Sequence, residues 1–393
     1  MSTLTTTFAT RTAKMQQNAV REILKVVNRP GMISLAGGIP APESFPIDLM
    51  PTLMHDVLQN YGATALQYDA TEGFEPLRVA LVAYLAQKQV TATADEILIF
   101  SGSQGVLDTL GKILISPGDG IAVEAPTYLG ALSAFNPYEP TYVQVATDEE
   151  GILPDALEAT LKTESIKFIY LVPTFQNPTG RTISLERRKA VADLLQKYGV
   201  LLVEDDPYSD LRYQGTAVPP LKFFAPEHVV YVSTLSKTFA PGLRIGFCAA
   251  PTAVRKWLII AKQGVDLHTS TLNQALAAEY LCGGYLQQQL PKILAIYRPR
   301  QQAMLAALDR YLPEGFHWTQ PDGGMFLWLE GPAGLDTEAA YWRAIEQNVA
   351  FVPGKFFFAE PEIGKNTMRL NFTMSDEATI TKAVATLAGV LRG

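Results

Sequence analysis

A lysine with hydroxyl and guanidinium neighbours is the most reactive combination in this sequence. The segment 233–237 is Ser-Thr-Leu-Ser-Lys, and Arg244 follows shortly after it. The Lys237 amine can form a Schiff base with an aldehyde, while Thr234, Ser236 and Arg244 offer donors to a phosphate. This combination indicates a phosphorylated aldehyde, for which pyridoxal 5'-phosphate is the candidate. An ordinary polar turn after a strand is the alternative for this segment taken alone.

The turn at residues 101–104 is a second candidate phosphate-binding element. Its sequence is Ser-Gly-Ser-Gln, and it joins a predicted strand over 96–100 to a predicted helix over 105–114. Free backbone N–H groups and the positive end of the helix dipole could hold a phosphate there, and glycine permits its close approach. A plain helix cap at Ser103 is the simpler interpretation of this turn alone. No Gly-x-x-x-x-Gly-Lys run follows, which argues against a nucleotide P-loop.

An amide and two acids follow other predicted strands. Asn177 opens Asn-Pro-Thr-Gly after a strand predicted over 168–172. Its amide could donate to a phenolate oxygen on the ligand ring, or the segment could be a common Asn-Pro turn. Asp205 and Asp206 end an apolar run, with Tyr208 shortly after. A carboxylate in such surroundings needs a partner, which a pyridinium N–H would provide. Because side chains alternate along a strand, only one of the two aspartates should face the ligand.

A metal centre is the rival explanation for these acids. The sequence has four histidines, His55, His228, His268 and His317. None of them stands at a spacing from Asp205 and Asp206 that is typical of metal ligands. We therefore expect no metal.

Arg369 interrupts an otherwise apolar segment near the carboxyl terminus, where 368–372 is predicted to be a strand. Burying a guanidinium without a partner is costly, so this side chain should meet an anion such as a substrate carboxylate. A salt bridge at a sheet edge would satisfy it equally well. The segment alone leaves both interpretations open.

Short apolar runs alternate with helix-length segments along most of the chain, a rhythm typical of a largely parallel sheet covered on both faces. The predicted strands cover 96–100, 120–124, 141–145, 168–172, 200–204, 229–232 and 245–249. After them, 280–312 indicates long amphipathic helices, and 324–329 and 368–372 indicate strands of a separate unit. The fold class is therefore α/β, with a boundary near residue 290. Open sheets of this class bind ligands outside the carboxyl ends of their strands, where the candidate groups fall.

The composition disfavours several classes of partner. Of 393 residues, 48% are hydrophobic, enough for one large and one smaller core. A net charge of -7 offers no basic field for nucleic acid or an anionic membrane. Two cysteines outside any Cys-x-x-Cys pair favour a reducing compartment. Neither an apolar leader nor a membrane-length apolar run is evident. The sequence thus predicts a cytoplasmic protein without nucleic-acid or membrane partners.

Taken in order, these segments resemble one known family. Their order is similar to that in the class I aminotransferases of pyridoxal phosphate fold type I. The elements in order are Ser-Gly-Ser-Gln, Tyr128, Asn-Pro-Thr-Gly, Asp-x-x-Tyr, the segment ending in Lys237, Arg244 and Arg369. Within that family the chain looks most like the subgroup holding 2-aminoadipate and kynurenine aminotransferases. The segments that carry this closer resemblance are 21–25, 36–40, 66–68, 175–178, 262–268 and 323–326. The resemblance covers nearly the whole chain.

The resemblance implies an architecture as well. A large cofactor-binding domain over 46–290 would contain a mostly parallel seven-stranded sheet flanked by helices. A smaller α+β domain would be formed by residues 291–393. Residues 1–45, an N-terminal arm and helix, would be part of this smaller domain. The family likeness also implies a homodimer with shared active sites, in which Tyr68 of the partner subunit reaches the phosphate.

The same resemblance assigns roles around pyridoxal 5'-phosphate. Lys237 would bond covalently to the cofactor, and Asp205 would keep its pyridine nitrogen protonated. Tyr208 and Asn177 would hydrogen-bond the phenolic oxygen, and Tyr128 would stack on the ring. The phosphate ligands would be Ser103, Gln104, Thr234, Ser236 and Arg244. The family usually has serine at the position of Thr234, but the hydroxyl is kept.

The implied reaction moves the amino group of an L-amino acid to a 2-oxo acid, with 2-oxoglutarate as the expected acceptor and ping-pong kinetics. Lys237 would act as general base and acid at the substrate Cα. Tyr208 and Asp205 complete the expected catalytic group. Arg369, assisted by Asn177, would clamp the α-carboxylate.

The substrate range expected from the resemblance is broad and includes 2-aminoadipate, branched-chain and aromatic amino acids. Arg21 occupies the position of an arginine that can bind a distal carboxylate in the resembling subgroup, although a solvated helical charge is the simpler interpretation. The segment 38–45, rich in Pro and Gly and including Gly38, would close over the side-chain pocket. Tyr68 is also expected to contact substrate.

Other activities share these residues. A C–S lyase, decarboxylase or racemase of the same fold could use Lys237, Asp205 and Arg369 in the same way, because the cofactor stabilises the same carbanion. The alternative of another class is a regulator whose aminotransferase-like domain senses pyridoxal phosphate without turnover. Such regulators carry a DNA-binding domain ahead of this fold, and no basic helix-turn-helix segment precedes it in this sequence. No Gly-x-Gly-x-x-Gly run supports a dehydrogenase.

Overall fold

A seven-stranded sheet, here called the central sheet, forms the framework of the protein. The computed structural model describes residues 7–15 and 29–392. In spatial order the strands are Ile97–Ser101, Ile245–Ala249, Val229–Thr234, Leu201–Asp205, Ile166–Leu171, Gly120–Glu124 and Thr141–Val145. Ile245–Ala249 is antiparallel to both its neighbours, and the other pairs are parallel. The expected mostly parallel sheet is confirmed.

The strands of the central sheet are apolar on both faces because both faces are covered. Val229–Thr234 and Ile245–Ala249 are buried at every position, the pattern expected of a sheet packed between helices. Alternate residues enter different apolar clusters. Tyr170 packs in the same cluster as Val203, whereas Ile169 packs in another on the opposite face. The two faces therefore have separate cores.

Helices of the first two thirds of the chain flank the central sheet. They are Met50–Tyr61, Glu75–Gln87, Ser103–Leu114, Leu129–Phe135, Pro154–Thr163, Leu185–Tyr198, Leu221–Phe224, Thr252–Gln263 and Thr271–Cys282. Local sequence fixes several of their ends. Pro154 opens its helix, where a missing N–H costs nothing, and Gly199 closes Leu185–Tyr198 in the left-handed conformation.

The last third of the chain builds a second, smaller sheet. Its strands, in spatial order, are His317–Trp318, Phe326–Glu330, Thr367–Asn371 and Val352–Pro353. The helices of this part are Tyr285–Tyr311, Thr337–Glu346 and Glu377–Arg392. The short strand Ile33–Ser34 pairs with Val349–Ala350, so the amino-terminal segment contacts the carboxyl-terminal part.

Small differences separate the predicted elements from the observed ones. The first helix after the Ser-Gly-Ser-Gln turn begins at Ser103 rather than at residue 105, because Gly102 already supplies the cap position. The region 280–312 contains the end of one helix and the whole of Tyr285–Tyr311. The predicted boundary near residue 290 falls inside that long helix, and the division into 1–45, 46–290 and 291–393 stays a prediction.

Among the residues that the structure describes, no helix combines the length and the apolar character needed to cross a bilayer.

Candidate active site

A cavity of about 350 Å³ lies at the carboxyl ends of the central strands. Most of the predicted site residues line it, namely Gly38, Ser103, Gln104, Tyr128, Asn177, Asp205, Tyr208, Thr234, Ser236, Lys237, Arg244 and Arg369. They come from distant parts of the sequence. Those that follow parallel strands meet because such strands end at the same edge of a sheet, and Gly38 and Arg369 reach this edge from outside the central sheet. A larger cavity of about 760 Å³ is lined by residues such as Arg181 and Trp318 and by none of the predicted site residues.

One end of the cavity is rich in donors suited to a phosphate. Ser103 begins helix Ser103–Leu114, whose first N–H groups lack helical partners. Gly102 precedes it with φ +88°, and a Cβ there would collide with the Arg244 guanidinium. Thr234 and Ser236 place their hydroxyl oxygens 2.8 Å apart in the turn that ends Val229–Thr234. This end of the cavity thus combines a helix terminus from one turn, two hydroxyls from another and the Arg244 cation.

Gln104 lines the cavity, but its side-chain amide is already engaged. Its Nε2 donates to the Gly130 carbonyl at 2.7 Å. The side chain therefore ties the helix start to the segment that follows Tyr128. The second N–H of Nε2 and the backbone N–H are the donors that Gln104 can offer to a phosphate.

Lys237 places a buried amine in the cavity. Its Nζ donates to the Gly38 carbonyl at 3.0 Å. Burial lowers the pKa of Lys237 to about 8, and the charges of Arg369 and Arg244 add to that effect. A lysine with such a pKa is partly neutral near physiological pH, so it can act both as a nucleophile and as a proton acceptor.

Asp205 presents one free carboxylate oxygen. Its Oδ2 accepts from the Tyr170 hydroxyl at 2.8 Å, and its Oδ1 is buried without a hydrogen-bond partner among the described residues. Burial raises the pKa of Asp205 to about 7; the Tyr170 hydrogen bond opposes the rise and the Asp206 charge adds to it. Asp206 points away, since its carboxylate accepts from Tyr231 and from the Ser209 backbone. Of the two aspartates only Asp205 lines the cavity, and its contact with a ligand stays a prediction.

Two tyrosines and an amide lie between these groups. Asn177 Nδ2 donates to the Tyr208 hydroxyl at 3.4 Å, and both side chains are buried. Burial raises the pKa of Tyr208, with Tyr128 adding to the rise. Burial also raises the pKa of Tyr128 to about 12, and the nearby Asp205 charge contributes. Both phenols are therefore protonated at neutral pH and can donate hydrogen bonds.

Arg369 is the buried cation opposite these groups. Its guanidinium donates to Asn177 Oδ1 at 2.8 Å and to the Ala36 carbonyl at 2.6 Å, and it lies 4.3 Å from the Phe326 ring centre. Its Nε has no partner among the described residues. Burial lowers the pKa of Arg369 to about 10, which still leaves it charged at neutral pH. Two hydrogen bonds fix the plane of the guanidinium, and no acid of the described residues forms a salt bridge with it, so it can bind an incoming carboxylate.

Two predicted site residues do not join this cavity. Tyr68 is 78% exposed, and its ring contacts His268 edge-on at 5.7 Å. Arg21 lies outside the described residues. Their predicted roles stay predictions.

Some contributors escaped the sequence reasoning. Tyr170, which holds Asp205, lies inside a strand and looks like one more apolar core residue. The backbone carbonyls of Ala36 and Gly38 hold Arg369 and Lys237, and carbonyls leave no mark in a sequence. Only Tyr170 carried a signal, since a buried phenol needs a hydrogen-bond partner.

No cluster of His, Cys, Asp or Glu side chains suited to a metal ion occurs in the part of the chain that the structure describes. Asp205 Oδ1 and Arg369 Nε, which lack partners among the described residues, and the donor-rich end of the cavity suit an organic ligand that has a proton-bearing nitrogen and an anionic group. Pyridoxal 5'-phosphate fits this set of residues.

Comparison with known proteins agrees with the geometry. The family model for aminotransferase class I and II matches residues 32–387. The chain belongs to the aminotransferase class I and II family. It is 45% identical to an aromatic-amino-acid aminotransferase 1 of Thermococcus litoralis, over 98% of this chain and 94% of that protein. This aminotransferase therefore has the pyridoxal-phosphate fold type I and uses pyridoxal 5'-phosphate as its cofactor.

Two solved structures resemble this aminotransferase over its full length. A kynurenine aminotransferase of Pyrococcus horikoshii, in complex with PMP, has 42% identity and a TM-score of 0.95, covering 100% of this chain and 98% of that one. An alpha-aminoadipate aminotransferase of Thermus thermophilus, complexed with N-(5'-phosphopyridoxyl)-L-leucine, has 40% identity and a TM-score of 0.92, covering 100% of this chain and 99% of that one.

Proposed function

We propose that this aminotransferase moves the amino group of an L-amino acid to a 2-oxo acid in two half-reactions at the cavity described above, with 2-oxoglutarate as the acceptor. One observation carries the proposal: the Lys237 amine, the Asp205 carboxylate and the Arg369 guanidinium line the same cavity, and among the described residues Asp205 Oδ1 and Arg369 Nε have no hydrogen-bond partner. The cofactor, when bound, supplies an electron sink for charge that develops at the substrate Cα.

Lys237 is the proposed proton carrier. Its Nζ would take the proton from the substrate Cα and deliver it to the bound cofactor, so that it serves first as general base and then as general acid. The pKa of about 8 suits both tasks, because neither protonation state is strongly disfavoured near neutral pH. The Gly38 carbonyl can hold the amine by a hydrogen bond while Nζ is not bonded to the cofactor.

Arg369 is the proposed anchor for the substrate α-carboxylate. A carboxylate that approaches its free Nε edge meets a guanidinium whose plane is already fixed by Asn177 and by the Ala36 carbonyl. Such an anchor sets which bond of the Cα stands perpendicular to the cofactor ring, and this choice favours removal of the proton over loss of the carboxylate.

The remaining residues are proposed to hold the cofactor. Tyr208 and Asn177 would donate to its phenolic oxygen, Tyr128 would lie against its ring, and Asp205 Oδ1 would accept from its pyridine nitrogen. The proposed phosphate ligands are Ser103, Gln104, Thr234, Ser236 and Arg244, which stand at the donor-rich end of the cavity.

The proposed substrates are 2-aminoadipate together with aliphatic and aromatic amino acids. The similar proteins act on aromatic amino acids, kynurenine or alpha-aminoadipate, and one of them was solved with a leucine adduct. In this chain Gly38 and Ile39 line the cavity next to Arg369, so an apolar side chain has a surface to contact. Arg21 is the proposed partner of a distal carboxylate.

We also propose a homodimer and a cytoplasmic location. Tyr68 is largely exposed and does not line the cavity of its own chain, which agrees with a role at the site of a partner subunit. Cys248 and Cys282 are both free thiols, which agrees with a reducing compartment.

The visible absorption spectrum of the holoenzyme tests the reaction. Addition of L-2-aminoadipate, or of leucine or phenylalanine, without an oxo acid should shift the band to the shorter-wavelength amine form, and 2-oxoglutarate should reverse the shift. A band that none of these amino acids moves would contradict transamination and favour a lyase, a decarboxylase or a non-catalytic sensor.

Lys237→Ala is the matching variant. It should slow the half-reaction at least about 10³-fold, because it removes both the nucleophile and the proton carrier, while retaining the cofactor weakly. Lys189→Ala, which removes an exposed amine from helix Leu185–Tyr198, is the control and should leave the rate unchanged. Full activity in Lys237→Ala would refute the assignment of that residue.

A further inference from the structure

The Asp205 carboxylate is held by a single side-chain hydrogen bond. Tyr170 Oη donates to its Oδ2 at 2.8 Å, and the other oxygen has no partner among the described residues. Asp205 lines the cavity, whereas Tyr170 is not among the residues that line it. Its hydroxyl reaches the lining of the cavity by a hydrogen bond to this carboxylate, so Asp205 is the direct link between Tyr170 and a bound cofactor.

The strand register places these two residues together. Tyr170 lies opposite Val203 in the parallel pair formed by Ile166–Leu171 and Leu201–Asp205. Asp205 is two residues beyond Val203 and so points to the same face of the sheet. A tyrosine is long enough to reach this diagonal neighbour. The contact is thus built into two central strands, which are among the most rigid elements of such a fold.

The Tyr170 ring has little freedom to move. It is fully buried, and it packs edge-on against Phe135 with ring centres 5.8 Å apart. Because both the ring and the strand are fixed, the hydroxyl occupies one position, and it restrains the carboxylate that accepts from it. Rotation of the carboxylate about its Cβ–Cγ bond would break this hydrogen bond.

We propose that Tyr170 is a positioning residue for transamination, whose hydroxyl orients the Asp205 carboxylate so that Oδ1 meets the pyridine nitrogen of the cofactor. This inference rests on the proposed function of Asp205. The same hydrogen bond also helps to keep the Asp205 carboxylate ionised. Burial and the Asp206 charge raise the pKa of Asp205, whereas the Tyr170 hydrogen bond favours the ionised form.

The neighbouring strands supply a matched control. Tyr231 donates to Asp206 Oδ2, a second buried tyrosine–aspartate bond of the same kind, at 2.6 Å. Asp206 follows Asp205 directly but lies outside the lining of the active-site cavity. Tyr231→Phe therefore removes the same chemical group from an equally buried place, on the face that does not meet the cofactor.

The experiment compares Tyr170→Phe and Tyr231→Phe as holoenzymes. Rapid mixing with L-2-aminoadipate or L-leucine, without an oxo acid, gives the rate of the half-reaction from the absorbance change. Tyr170→Phe should slow this rate by about 10- to 100-fold, as expected when a hydrogen bond to a charged group is lost. Tyr231→Phe should change it by less than about threefold, although both variants should lose similar thermal stability.

The same substitution in an Asp205→Asn protein distinguishes a role of Tyr170 in orienting the carboxylate from a role in packing alone. In Asp205→Asn holoenzyme the carboxylate is absent, so adding Tyr170→Phe should change the residual rate by less than about threefold. A full loss in that background would overturn the inference, because Tyr170 would then act without Asp205. Equal rates for Tyr170→Phe and Tyr231→Phe, with an active wild type, would overturn it as well. A wild type inactive toward every amino acid tested would instead refute the proposed function and the inference with it.

Discussion

Burial brings two oppositely charged side chains of the cavity toward the same pH range. The pKa of the Lys237 amine falls to about 8, and that of the Asp205 carboxyl rises to about 7, with desolvation as the largest cause in each case. Each shift makes the charged form less stable in the protein than in water. Groups tuned in this way are typical of sites that bind and move protons.

The Asp205 shift gives a prediction for the stability of the cofactor-free protein. The folded pKa is above the usual value of 3.8, so the stabilising contribution is present below that value and is lost as pH rises through about 7. Asp205→Asn removes the charge that is costly at high pH. We expect its gain in the free energy of unfolding at pH 8 to exceed its gain at pH 5 by roughly 2 kcal/mol.

Urea unfolding of the two proteins at both pH values measures this difference. The exposed Asp48→Asn is the control and should show no such pH dependence. Equal effects of Asp205→Asn at pH 5 and pH 8 would show that the carboxyl is not held at a raised pKa.

Arg21 carries the second prediction at this scale. If its guanidinium binds a distal carboxylate, Arg21→Ala should lower kcat/KM for 2-aminoadipate and glutamate by about 10- to 100-fold, the range for a charged hydrogen-bonded pair. Leucine should lose less than about threefold. Lys25→Ala, a charge removed from the same sequence segment, is the control. Equal losses for acidic and apolar substrates would show that Arg21 does not recognise the distal group.

At the scale of elements, the turns after the strands of the central sheet position the chemistry. The turn at Gly102 brings the start of helix Ser103–Leu114 against Arg244, and a side chain at Gly102 would occupy the space of that guanidinium. Glycine is needed there for two reasons, since the backbone has φ +88° and the cation approaches closely.

Gly102→Ala should therefore weaken the binding of pyridoxal phosphate by about 10-fold or more, because Arg244 must move and the turn is strained. Gly118→Ala is a close control: its φ is +87°, yet an added Cβ would contact nothing within 4 Å. Gly118→Ala should lower the free energy of unfolding by about 1 kcal/mol, as Gly102→Ala should through its backbone strain alone. It should keep its affinity for the cofactor. Titration of both apoproteins with pyridoxal phosphate, followed by absorbance, makes the comparison. Equal affinities would mean that the turn does not hold the phosphate.

At the scale of the whole molecule, the cavity draws on parts of the chain that are remote in sequence. Arg369 comes from the small sheet, and Gly38 from the amino-terminal segment. Asp205 ends a strand of the central sheet, and Lys237 lies in the short turn after another of its strands. The proposed dimer would extend this sharing across subunits through Tyr68.

Mixed dimers test the sharing. Lys237→Ala subunits lack the amine, and Tyr68→Ala subunits would lack the group given to the partner. Each variant should be impaired alone. After the two are unfolded and refolded together, hybrid dimers should regain one complete site each, or about a quarter of wild-type activity for random pairing. No gain over the separate variants, with hybrids present by mass, would contradict a shared site.

Most of the chemistry was determined by the sequence itself. Polar residues at the ends of apolar strands are costly unless they meet a ligand, which marked them as candidate site residues. The alternation of apolar runs predicted the sheet. The resemblance to the family implied the cofactor and the roles of the residues from Ser103 to Arg369. Strand limits were predicted within one or two residues, because apolar periodicity fixes the middle of a strand while its end depends on turn geometry.

Only the tertiary structure decided the contacts that depend on register and on backbone groups. The choice of Asp205 over Asp206 follows from the side of the sheet that each one faces, and the pairing with Tyr170 follows from the alignment of two strands distant in sequence. The engagement of Gln104 with the Gly130 carbonyl is of the same kind. A sequence shows which groups must be satisfied, but the three-dimensional packing selects the partner, because several partners of equal chemistry are always available to it.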